Sequence, residues 1–131
     1  MGSKSDYLEN KVLDEVCNAV EYTTPAAVYS ALFTVIPSDS TAGTEVTSAS
    51  CGYTRVASTF CSAGATTAGS LTNTGAVTFA TAVEGYTVVG WGLKDAATAG
   101  NNLYWATVTT LAIAINDQAV IAVGGIVITE D

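Results

Sequence analysis

The chain has 131 residues and a formal net charge of −8, from four Lys plus Arg against twelve Asp plus Glu, with no histidine. Neutralising a phosphate backbone takes clustered Lys and Arg, so nucleic acid is excluded as a partner, and anionic membrane surfaces with it. From Tyr22 to Thr129 the charged residues are Asp39, Glu45, Arg55, Glu84, Lys94, Asp95 and Asp117 alone, too scattered for a site that moves protons or holds a metal. No enzymatic activity, cofactor or metal is therefore expected.

One domain spanning residues 1–131 fits this length and has room for a core without staples. No apolar run approaches the roughly 20 residues that cross a bilayer. The opening Met-Gly-Ser-Lys-Ser-Asp-Tyr-Leu has no apolar signal core, so export by the general secretory route is not expected. Cys17, Cys51 and Cys61 are odd in number and lack a CxxC spacing, which suits small buried residues made in a reducing compartment. A Cys51–Cys61 bridge across the intervening Gly-rich segment stays open. With 49% hydrophobic and 12% charged residues, the surface carries less charge than an isolated soluble domain usually does. Coverage by neighbouring copies and a high alanine content both account for that.

In chain order, residues 5–21 read as one amphipathic helix or arm. Leu8, Val12, Val16 and Val20 recur every four residues, beside Leu13 and Cys17, which draws one apolar stripe. Ser5 or Asp6 can cap it, and Asp6 with Glu9 has capping-box spacing. Glu9, Lys11, Asp14, Glu15 and Asn18 line the opposite face. The stripe is expected to bury Leu8, Val12 and Val16, which are the candidate assembly contacts, and a lid on the domain's own core is preferred to a pure partner-binding arm. Thr23-Thr24-Pro25 ends the helix, because the residue before proline is pushed to extended backbone.

Residues 26–36 form the strongest predicted strand, closed by Pro37-Ser38-Asp39-Ser40. Residues 39–69 are mostly Ser, Thr, Ala and Gly, with a short extended piece at 53–57, and are expected to supply little core. Strands then follow at 76–80, 86–93, 102–109, 111–115, 118–123 and 126–129, separated by Glu84-Gly85, Ala99-Gly100-Asn101, Asn116-Asp117 and Gly124-Gly125. Short strands at near-regular spacing without intervening helices predict a mainly β chain. The expected architecture is an antiparallel β-sandwich over 26–131, jelly-roll or Ig-like, preceded by one N-terminal amphipathic α-helix. The glycines of Gly90-Trp91-Gly92 mark a bulge or a close backbone approach.

Several constellations invite a chemical reading. Trp91, Tyr104 and Trp105 fall on what read as adjacent strands of one hairpin. They are either a sugar-stacking platform or cross-strand core packing, and the second is preferred because only Asp95, Asn101 and Asn102 stand near as polar partners. Asp39 with Glu45, and Asp95 with Asn101 and Asn102, lack the alternating oxygen ligands of a calcium loop. Glu84 and Asp117 pose as a glycosidase pair only in name, since their spacing fixes no geometry. No serine has a histidine or a GxSxG turn to activate it.

Ser5-Asp6-Tyr7-Leu8-Glu9-Asn10-Lys11 is followed by Pro25-Ala26-Ala27-Val28-Tyr29-Ser30-Ala31-Leu32-Phe33-Thr34 and Gly43-Thr44-Glu45-Val46. Tyr53-Thr54-Arg55-Val56, then Trp91-Gly92-Leu93-Lys94-Asp95-Ala96-Ala97-Thr98 and Asn102-Leu103-Tyr104-Trp105, complete the series. This succession resembles a family of short tailed-phage virion structural proteins, often described as tail-fibre-like. The chain departs from the family's pattern in the Ser/Thr/Ala-rich stretch 49–75. The resemblance implies a virion component in one of two roles. The preferred one is a capsid decoration or cement protein on the outer capsid surface, bound to the major capsid protein and self-associated as a trimer. The alternative is a tail, baseplate or fibre component. A carbohydrate-binding module resting on the aromatic cluster is a third reading.

Overall fold

The computed structural model describes residues 3–130, apart from the side chains of Ser48 and Ala49. In chain order the elements are β1 (Ser3–Lys4), α1 (Asp6–Asn18), β2 (Val28–Val35), β3 (Thr44–Glu45), α2 (Ser48–Cys51), β4 (Val56–Ser58), β5 (Ser70–Thr72), β6 (Val77–Thr78), β7 (Tyr86–Lys94), β8 (Asn102–Ile113), β9 (Val120–Ile121) and β10 (Val127–Thr129). Six strands make one antiparallel sheet in the order β1-β8-β7-β2-β3, with β4 also hydrogen-bonded to β2. Two ribbons, β5–β10 and β6–β9, are likewise antiparallel. The mainly β architecture with a leading helix is thus as the sequence predicts. The layer opposite the large sheet consists of these two ribbons rather than one continuous sheet.

The main core lies between sheet and ribbons. Leu32, Val88, Trp91 and Leu93 of the sheet meet Val77, Phe79, Ile126 and Ile128 of the ribbon layer. The Gly-Trp-Gly of β7 explains how a second core forms on the sheet's other face. A strand alternates its side chains between faces, so Trp91 enters the main core while Gly90 and Gly92 leave the opposite face bare. Phe33 and Ile36 occupy that clearance: a Cβ on Gly92 would come within 2.7 Å of the Phe33 ring, and one on Gly90 would collide with the Ile36 tip. Phe33 and Ala31 are fully buried there, and Leu8 and Leu103 nearly so.

Beyond shifts of a few residues at strand ends, the structure departs from the sequence reading in three places, each for a physical reason. The helix stops at Asn18 rather than 21, because Ala19 turns left-handed (φ 54°) and the Val20 N–H closes back on the Asp14 carbonyl at 3.1 Å. The segments predicted at 102–109 and 111–115 are one strand. Val88 faces Leu111 and Gly90 faces Thr107, so β8 carries extra residues at that point and the chain runs on through Thr110 as a bulge. Residues 39–69 do feed the core: Val46, Cys51 and Tyr53 are buried, and the Tyr53 ring stacks on Phe79 with centroids 5.9 Å apart.

Candidate functional site

Helix α1 is hydrogen-bonded to the domain at its first turn. The Ser5 hydroxyl accepts from the Leu8 N–H and donates to the Asn102 carbonyl. The Ser5 N–H donates to Leu103 O and the Asp6 N–H to Asp39 O, both at 3.0 Å. This anchoring fixes the helix against β8 and buries Leu8. Past that turn Lys11 and Asp14 stay partly covered while the apolar stripe faces outward. Val12 is 40% exposed, Leu13 59%, Val16 78% and Val20 51%. The stripe read from the sequence is present, yet most of it is uncovered. The lid expectation therefore holds for Leu8 and fails for Val12 and Val16. An apolar face without a cover on a surface helix marks a docking surface. Cys17 is exposed beside it, and all three cysteines are free thiols, so the Cys51–Cys61 bridge is not formed.

The aromatic cluster is divided by the sheet. Leu93 faces Tyr104 and Gly92 faces Trp105 in the register, and consecutive residues of one strand point to opposite sides. Trp91 is buried in the main core with its indole N–H donated to Ser30 Oγ at 3.0 Å. Tyr104 lies on the same side, half-buried, and donates its hydroxyl to Glu130, which also pairs with Lys4. Burial pushes the Tyr104 phenol well above its usual range, with the Glu130 hydrogen bond adding to it. Trp105 stands on the helix side. The three rings therefore form no single platform, because Trp105 lies on the face opposite Trp91 and Tyr104. What remains beside Trp91 and Tyr104 is an apolar groove of about 320 Å³, walled by Ala106, Val108, Ile121 and Ile126.

The polar residues are engaged in bracing. Glu45 takes both oxygens to Arg55 at 2.7 and 2.8 Å and accepts from the Tyr53 hydroxyl at 2.8 Å. Arg55 then reaches the carbonyls of Ala96 and Ala99, each at 2.7 Å, and the Leu32 N–H donates to Tyr53 Oη. Burial alone raises the Glu45 pKa, but the hydrogen bonds from Arg55 and Tyr53 outweigh it and hold the carboxyl below its usual range. This network ties β3 to the β7–β8 turn, with Glu45 and Arg55 paired to each other. Sequence reading missed it because Glu45 and Arg55 sit in a stretch that looks featureless. The nearest signal was a lone Arg ten residues from a lone Glu.

Asp95 closes the same turn. Its carboxylate accepts from the Asn101 backbone N–H at 2.7 Å and side-chain amide at 2.8 Å. Glu84 and Asp117 are both exposed turn residues. Among the described residues no three His, Cys, Asp or Glu side chains gather to hold a metal, and no helix is long and apolar enough to cross a membrane.

The molecule thus presents an exposed helix stripe and an apolar groove, and Lys4, Glu45, Arg55, Asp95 and Glu130 serve as braces. No curated protein matches the chain. A family model described as podophage GP4 fiber I protein gp80 matches residues 3–129, from the first strand to the last. The chain belongs to this family of short-tailed phage virion structural proteins.

Proposed function

We propose that the protein is a non-enzymatic building unit of the tail-fibre apparatus, seated in the virion through the exposed stripe of α1. The observation that carries this is Val16 at 78% exposure on a helix whose first turn is locked to β8. A rigidly aimed apolar face is ready to dock on a neighbouring subunit without the ordering cost of a loose arm. The partner face accepts Val12, Leu13, Val16 and Val20 and tolerates the acids that flank them, which calls for an apolar groove with a basic or polar rim.

The fibre role takes precedence over the outer-capsid role preferred from sequence. The family is a fibre family, and the features that favoured the capsid suit a fibre equally: low charge, acidity and few Lys or Arg. Assembly partners are then sought among tail and adaptor subunits before the major capsid protein. Burial of Trp91 and the separation of Trp105 from Tyr104 favour the fibre reading over a glycan-binding module. The test is incorporation. Phage carrying Val16→Asp are expected to yield particles lacking this protein while the isolated variant folds normally; wild-type occupancy in the variant particles would overturn the assignment of α1.

A further inference from the structure

Strand β8 is the longest in the molecule, twelve residues, and most of its outer edge is bare. Strand β1 covers it only at Tyr104 and Trp105, and the Ser5 N–H reaches Leu103 O. Over 106–112 no strand and no further backbone hydrogen bond meets that edge among the described residues. Thr107 to Ala112 are all exposed, with Val108 at 40% and Leu111 at 54%.

A free edge displays unpaired N–H and C=O groups that template another strand, and proteins that stay monomeric blunt such edges with lysine, proline or inward-pointing charge. Here the edge reads Ala-Thr-Val-Thr-Thr-Leu-Ala-Ile. It holds no charge and no proline, and most of its residues are β-branched. The bulge facing Val88–Gly90 is the one feature that interrupts it.

Charge identifies the occupant. Residues 96–116 contain no charged side chain in a chain whose net charge is −8. Two like-charged copies repel least when they meet across this surface, whereas a basic partner is drawn to the acidic faces elsewhere. The segment also complements itself, since a copy turned antiparallel meets the same rows of Thr and aliphatic side chains. Beside the edge lies the apolar groove walled by Ala106, Val108 and Ile121, which gives an added strand's side chains a place to bury.

We propose that β8 of one copy pairs antiparallel with β8 of a second copy, extending the sheet across a two-fold axis. Such a contact is isologous and closes at a dimer. It stands apart from the fibre reading, which does not require it, and it replaces the three-fold association expected from sequence.

The experiment is sedimentation of the full chain over a micromolar concentration series, with hydrogen exchange at low and high concentration. The wild-type chain is expected to form a dimer, and amides within 107–112 are expected to exchange more slowly as the dimer fills. A Val108→Lys/Leu111→Lys variant places like charges along the shared edge and is expected to weaken the dimer about tenfold or more. Both side chains are exposed, so circular dichroism should be unchanged. A monomer at all concentrations, a trimer, or a dimer indifferent to both lysines overturns the proposal. If the variant misfolds, wild-type exchange decides alone: fast amides over 107–112 within a dimer place its interface elsewhere. A monomer found in virion tails would sink the edge pairing and leave the fibre reading intact; a dimer absent from virions would do the reverse.

Discussion

Replacing Gly92 by alanine tests the two-faced design of β7. The added Cβ would stand 2.7 Å from Cε2 of Phe33 and 3.3 Å from the Tyr104 carbonyl. Phe33 is fully buried, so its ring has no open space to move into. Overpacking of this kind costs about 1–3 kcal/mol. Alanine returns about 0.5–1 kcal/mol because glycine is entropically unfavourable in a strand. The net expectation is a loss of roughly 1–2 kcal/mol, or about 3–10 °C in Tm for a chain of this size. Gly90→Ala is the matched control. Its Cβ meets chiefly the tip of Ile36, a flexible and only partly buried side chain that can rotate away, so the net change should lie within about 0.5 kcal/mol. Urea unfolding followed by tryptophan fluorescence measures both, with Trp91 as a buried reporter. If Gly92→Ala is as stable as wild type, or if the two variants lose stability equally, the account of Phe33 seated over Gly92 is wrong.

Tyr53→Phe keeps the ring on Phe79 but leaves the Leu32 N–H without its acceptor and Glu45 without one donor; a loss of about 1–3 kcal/mol is expected in urea midpoint analysis. The folded-state pKa of Glu45 is depressed, so its contribution is complete above the unfolded value of about 4.3 and fades as pH falls through the folded one. The urea midpoint should drop on acidification below about pH 4.3, and Glu45→Gln should flatten that part of the profile. Val16→Asp, at an exposed helical position, should change stability by no more than about 0.5 kcal/mol while abolishing incorporation; a large loss of stability would mean that the stripe packs on the domain itself.

How much of this was legible depends on whether the deciding contact was local. The helix was legible because Leu8, Val12, Val16 and Val20 share one face at helical spacing. Its end was not, since Ala19 turns left-handed without the glycine or asparagine that would announce it. The close approach at Gly90-Trp91-Gly92 was legible in kind, but the identity of the intruders, Phe33 and Ile36, depends on strand order. Thr110 looked like a break because the reading took each strand alone, whereas a bulge exists only in the register between two. The separation of Tyr104 from Trp105 was available all along, because adjacent residues of a strand face opposite ways. Composition hid the brace and the core residues of 39–69. A run averaged as Ser, Thr and Ala says nothing of Tyr53, Arg55 and Glu45, whose partners arrive from β2 and the β7–β8 turn.

The exposed helix stripe and the bare edge of β8 are both costly on an isolated molecule, and both are explained by life within an assembly. Cryo-EM reconstruction of intact virions, with the six-stranded sheet and α1 as the search shape, tests that claim most directly. Density for this domain on the tail fibres, with α1 buried against a neighbouring subunit, is the predicted result. Density confined to the capsid lattice, or particles that lack the protein altogether, would contradict the account.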